Sequence, residues 1–82
     1  MRVRYIHHVA LVVRDLERAC RFYETVLGLR RTPRDAAAPR EGVWFRLGRV
    51  QQLHLVVSDD AIPPLPHVAL EVEDFWATLR HF

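Results

Sequence analysis

Three histidines carry the pattern in this sequence that could do chemistry. His8 opens the stretch HVALVVRD, His67 opens the near-copy HVALEVED, and His54 lies between them in VQQLHLVV. The two copies share His, Val, Ala, Leu, Val and Asp in the same order, so the chain writes the same start twice. In both copies the next residue on the face of the histidine is Ala. A small neighbour leaves room above that face for an ion or a ligand. Imidazole is a good ligand for divalent transition metals, and three protein ligands with an open position are typical of catalytic sites. His8, His54 and His67 are therefore the candidate metal ligands, although no short metal-binding motif is present. Glu71 shares a face with His67 but stands four residues along the same strand. At ~3.3 Å per residue it lies about 13 Å away and cannot share the ion.

The remaining histidines read differently. His7 falls on the opposite face from His8 and is expected to be a part-buried ring satisfied by a hydrogen bond. His81 is expected to be solvated. No nucleophile or general base stands out by spacing, so no catalytic residue is assigned.

These positions require particular elements. Residues 5–13, YIHHVALVV, are β-branched and aromatic and predict a strand. Alternation puts His7, Val9, Leu11 and Val13 on one face and His8, Ala10 and Val12 on the other. Asp15 is a good N-cap, and Leu16, Ala19, Cys20, Tyr23 and Leu27 recur at helical spacing, with Phe22 and Val26 widening the stripe. Gly28 stands where a C′ glycine ends a helix. A short strand near 29–33 follows, then a loop over PRDAAAPREG. Val43–Leu47 and Val50–Val57 predict a hairpin around Gly48-Arg49. In the second of these strands Gln52, His54 and Val56 share a face. SDDAIPPLP, over 58–66, reads as a linker. His67, Ala69 and Glu71 then share one face of a new strand, and Asp74 caps a helix that runs to Phe82.

The fold class is α+β: a βαβββ unit over 1–57 with a mixed sheet and one packed helix, the 58–66 linker, and the first βα of a second, incomplete unit over 67–82. The whole is a single domain. At 82 residues the core is small and its reserve of stability modest. All 12 basic residues are Arg and the net charge is only +2, spread along the chain, which is no nucleic-acid footprint. No apolar run is long enough to span a bilayer, and the N-terminus is not a signal peptide. A single cysteine, Cys20, is expected to be an inert core thiol and fits a reducing cytoplasm.

The stretches HHVALVVRDLERACRFYETVLGL, VWFRLGRVQQLHLVV and HVALEVEDF resemble the vicinal oxygen chelate superfamily. That superfamily includes glyoxalase I, extradiol dioxygenases, fosfomycin-resistance thiol transferases, methylmalonyl-CoA epimerase and bleomycin-binding proteins. The resemblance implies a pair of βαβββ units that curve around a divalent metal. It places His8 at the ligand position of the first strand, His54 at that of the first unit's last strand, and His67 at that of the second unit's first strand. The fourth ligand of the family is a Glu on the last strand of unit two, which this sequence does not reach. The ion is left open among Fe, Zn, Mn and Ni.

The resemblance implies a metal-dependent enzyme of the glyoxalase or dioxygenase type that chelates two neighbouring oxygens of a small substrate. The alternatives are a metal-free small-molecule (drug) binding module of the bleomycin-resistance type, or an inactive truncated remnant. Trp44 is expected to be ordinary core packing, with a place in the lining of the cup, as the binding module would need, as the alternative. A second unit that stops after βα would leave a sheet edge and apolar surface uncovered. A homodimer is therefore expected, with 67–82 near the interface, and no membrane or nucleic-acid partner.

Overall fold

The computed structural model describes residues 1–38, 40–58 and Leu70, Val72 and Glu73. The order of elements is β1 (His8–Val13), α1 (Leu16–Arg21), a π-helical turn (Phe22–Val26), β2 (Arg31–Thr32), β3 (Gly42–Leu47) and β4 (Gln51–Val57). The four strands form one sheet in the order β1-β4-β3-β2. β1 runs parallel to β4, and the other pairs are antiparallel. This is the α+β, mixed-sheet βαβββ arrangement expected from the sequence. The expected strand at 67–73 and the terminal helix lie outside the described residues, as do His67 and His81.

Local chemistry accounts for each element. Asp15 is the N-cap of α1, and its carboxylate accepts from Arg18 N at 3.0 Å. Gly28, at φ 67, provides the left-handed residue after the helical segment. The apolar positions of α1 and the sheet meet on one side. Cys20, Phe45, Leu53 and Leu55 are buried there, with Val9, Leu11, Val13, Leu16, Ala19 and Tyr23 packed around them. Burial raises the Cys20 thiol pKa more than the Arg31 guanidinium lowers it, which suits an inert thiol. Arg31 on β2 pairs bidentately with Glu24 at 3.0 and 3.3 Å and ties the helical segment to the sheet edge. Both side chains are well exposed, so the pair contributes at most about 1 kcal/mol.

Four sequence expectations need correction. β1 starts at His8 and not at Tyr5. Among the described residues its one neighbour is β4, and His8 is already opposite Gln52, next to the hairpin end. Tyr5 and Ile6 lie beyond that pairing and are exposed. The helix is not uniform to Leu27. After Arg21 it widens into a π-turn, with Leu27 N donating to Phe22 O, and Phe22 faces solvent instead of joining the stripe. The extra residue in that turn breaks the 3.6 spacing on which Phe22 was placed. The second strand is shorter than 29–33, at two residues. The hairpin loop has three residues, because Leu47 pairs with Gln51; Gly48 takes φ 60 and Val50 is exposed. Among the described residues no helix is long and apolar enough to cross a membrane.

Candidate functional site

The face of the sheet away from the helix carries the polar side chains. Pleating and register determine which residues share it. Ala10 is opposite His54 on the β1–β4 pair, and His54 is opposite Trp44 on the β4–β3 pair. Alternation then adds His8, Gln52, Arg46 and Thr32 to the same face. None of the four strands contains Asp or Glu.

His8, His54 and Trp44 form one continuous stack across three neighbouring strands. The His8 and His54 ring centroids are 4.1 Å apart with 13° between planes. His54 and Trp44 are 3.9 Å apart and parallel within 1°. Two sequence-designated ligands are thus brought side by side by parallel pairing of strands far apart in the chain. Ala10, opposite His54 on the same face, adds only a methyl group beside the two rings. Trp44 belongs to this open face and not to the core, which corrects the expectation of ordinary core packing: residue 44 alternates with Phe45, and Phe45 takes the core position.

His54 is the most constrained of the set. It is buried, with 7% exposure, and its Nε2–H donates to Gln52 Oε1 at 2.7 Å. That bond leaves Nδ1 with the lone pair. Burial is the largest cause that pushes its pKa down, to about 4, and the neighbouring His8, His7 and Arg34 charges add to it. His54 is therefore a neutral imidazole near pH 7, the form a metal requires. His7 precedes β1 and is exposed instead of part-buried; it sits edge-on to His8, and the hydrogen bond expected for its ring is made there, Nδ1 to Nδ1 at 3.0 Å.

As donors for a divalent ion the face offers two imidazoles and an amide, and none of its four strands offers a carboxylate. The fit requires one adjustment. Parallel stacked rings aim their in-plane lone pairs along parallel lines, so one ring must turn for both to reach a common ion. Among the described residues no group of three His, Cys, Asp or Glu is gathered for a metal. His67, the third designated ligand, lies outside them.

Two residues at the site went unnoticed in the sequence. Gln52 stands two before His54 and so was already on its face, but nothing in the spacing marked it as a hydrogen-bond partner. Arg34 lies in the loop after β2, and its charge helps to lower the His54 pKa.

The low His54 pKa has a measurable consequence. In the unfolded chain an imidazole takes up its proton near pH 6.5, whereas the folded protein resists until about 4. Stability is therefore fully present above about pH 6.5, falls as the pH drops, and the loss is complete near pH 4. The limit of this contribution is about 3 kcal/mol. Urea midpoints in EDTA at pH 7.5 and 4.5 are expected to differ less in His54→Asn than in the parent. An identical difference in the two proteins would remove His54 as the source.

Comparison with known proteins completes the picture. The family model described as Glyoxalase/Bleomycin resistance protein/Dioxygenase superfamily matches residues 5–82. Among solved structures, a putative glyoxalase family protein from Bacillus anthracis is 25% identical, with a TM-score of 0.84, over 99% of this chain and 69% of its own. A member of the same superfamily from Sphaerobacter thermophilus shares the fold, at 20% identity and a TM-score of 0.74, over 96% of this chain and 69% of its own. A lactoylglutathione lyase from Agrobacterium tumefaciens is 33% identical over 82% of this chain and 52% of its own, with a TM-score of 0.54. The chain has no significant match among curated proteins. With the family match running over nearly its whole length and the βαβββ sheet in place, the chain belongs to the glyoxalase/bleomycin resistance protein/dioxygenase superfamily.

Proposed function

We propose that this protein is a divalent-metal-dependent enzyme in which His8 and His54 supply two imidazole ligands and His67 supplies a third. The observation that carries the reading is the pairing of His8 and His54 on adjacent strands of the open face, 4.1 Å between ring centroids. The likeness to a lactoylglutathione lyase supports an enzyme over a remnant. Fe, Zn, Mn and Ni all remain compatible with the ligands. When bound, the metal supplies Lewis-acid stabilisation to two neighbouring oxygens of a small substrate. The chain's own part is to hold His54 neutral and oriented through Gln52, to keep the stack rigid against Trp44, and to leave His8 at the accessible end. The same reading gives a cytoplasmic homodimer that acts on a small molecule. Supporting the dimer are β1, which among the described residues is paired along one edge, and the exposed Ile6, Leu70 and Val72.

A second reading has its own support. His54 already satisfies Nε2 on Gln52 and both its ring faces on His8 and Trp44 without an ion. A metal-free binding module of the bleomycin-resistance type needs no more than that aromatic face. Elemental analysis separates the two. The parent protein, after exposure to Zn(II) and gel filtration, is expected to retain metal, and His8→Ala and His54→Ala are expected to lose most of it. Removing one of three ligands lowers affinity well beyond the 10- to 100-fold typical of outer-shell changes. Equal metal content in all three proteins, or none in the parent, would remove the metal reading and favour the module.

A further inference from the structure

The His8 ring is held on two sides. His54 stacks on its face, with centroids 4.1 Å apart and 13° between planes. His7 meets it edge-on at 87°, with the two Nδ1 atoms 3.0 Å apart. The two contacts do different things. A stack fixes the plane of a ring but not its sense, because a half-turn about Cβ–Cγ keeps the plane and exchanges Nδ1 with the Cδ2 carbon. The bond to His7 distinguishes the two senses, since a C–H in place of the nitrogen cannot make it. His7 is itself anchored. Although it precedes β1, its carbonyl accepts from Gln52 N at 3.0 Å. The side chain of the same Gln52 accepts from His54 Nε2 at 2.7 Å. One residue of β4 therefore ties down both the backbone that carries the His7 ring and the ring of His54.

A hydrogen bond between two Nδ1 atoms needs a proton on one and a lone pair on the other. An imidazole that binds a metal through one nitrogen carries its proton on the other, and a partner at that proton fixes both the tautomer and the orientation of the ring. With Nδ1 of His8 engaged by His7, the nitrogen left for an ion is Nε2, the one farther from the backbone. His8 is also exposed where His54 is buried, so the turn that a shared ion requires falls to His8. We propose that His7 is a positioning residue: its Nδ1 accepts from Nδ1–H of His8, sets the sense of that ring and so presents Nε2 to the ion. The proposal rests on the metal-dependent reading. It makes the two ligands unlike, His8 acting through Nε2 under the control of His7, and His54 through Nδ1 under the control of Gln52.

Two measurements test this. The first is the tautomer of His8 in the metal-free parent, read from long-range ¹H–¹⁵N correlations of the imidazole rings in EDTA at pH 8, with the His8 signals identified by their loss in His8→Ala. His8 is expected to carry its proton on Nδ1, and His7 to have its lone pair there. The second is Zn(II) affinity, measured by competition with a chromophoric chelator. His7→Leu, which cannot accept, is expected to weaken binding about 10- to 100-fold, the usual cost of losing an outer-shell partner, and to release His8 from the Nδ1–H form. His7→Gln offers an amide oxygen in place of the ring nitrogen and is expected to restore most of the affinity and the Nδ1–H form. A parent with His8 protonated at Nε2, an unchanged affinity in His7→Leu, or a loss that His7→Gln does not relieve would each overturn the proposal, the last by making His7 a ligand itself. The tautomer is read on the parent and stands even if a variant folds poorly. Failure of the underlying reading looks different. Zn(II) uptake that depends on His8 and His54, with His8 in the Nε2–H form, defeats the role of His7 alone, whereas a parent that takes up no Zn(II) removes the metal reading and the proposal with it.

Discussion

Phe45→Ala is expected to leave the protein largely unfolded at 37 °C. Phe45 has no exposed surface and sits at the centre of the core, opposite Leu53 across the β3–β4 pair and 6.0 Å from the Tyr23 ring. It is where the helical segment meets the sheet, so the surroundings have little freedom to close over a cavity. Truncation of such a phenylalanine costs about 3–5 kcal/mol, from lost transfer energy and the void left behind. At roughly 0.05–0.15 kcal/mol per residue, a domain of this size has only about 4–12 kcal/mol in all. Phe45→Leu keeps most of the volume and is expected to cost about 1–1.5 kcal/mol. Thermal melts followed by far-UV circular dichroism decide the matter: an alanine variant that melts within a few degrees of the parent would show that β3 does not anchor the core.

Gly42→Ala is expected to be nearly as damaging, though it adds only a methyl group. Gly42 begins β3 and pairs with Val56. A Cβ there would run into the Leu55 carbonyl oxygen, with the Leu55 carbonyl carbon 3.2 Å away. These are backbone atoms of the neighbouring strand and cannot swing aside as a side chain could. The strand pair must part at that end, at a cost of about 3 kcal/mol. His54 lies two residues from Val56, so the strain falls on the strand that positions the site. Amide hydrogen exchange offers a direct readout. Protection is expected to fall at Val56 and Val57, and unchanged protection together with an unchanged melt would refute the clash. Gly28 and Gly48 behave differently, since both have positive φ with open space around the missing Cβ. There the cost of Ala is conformational, about 1 kcal/mol.

Much of the site could be read from the sequence because strand alternation has a strict period. Once residues 8–13 and 51–57 are strands, His8 and His54 must face away from Val9, Leu11, Leu53 and Leu55, which the greasy helix stripe claims. The Asp15 cap and the Gly28 stop were equally plain, because each has one backbone job suited to its side chain. What eluded the sequence depended on distances through space. The parallel pairing of β1 with β4, which turns two isolated histidines into neighbours, leaves no local mark. The π-turn was hidden because a widened turn obeys no fixed spacing. Arg34 does lie in the loop after β2, as the sequence suggested, and nothing in its spacing marked it as a charge that acts on His54. Trp44 could have been assigned correctly, since Phe45 next to it is the better core residue and two adjacent strand residues cannot share a face.

The order in which β1 and β4 enter the sheet bears on how the protein is made. β3 and β4 are joined by a three-residue loop and can zip together locally, whereas β1 must wait for a partner about forty residues downstream. Closing the longer loop costs about 2 kcal/mol more in chain entropy than closing the hairpin. During synthesis β1 is thus an apolar strand with no neighbour until Val57 has emerged, and only its docking sets the two histidines side by side. The pairing that joins His8 to His54 is therefore slower to close than the β3–β4 hairpin, and any change that slows the arrival of β4 lengthens the time in which His8 stands without that partner.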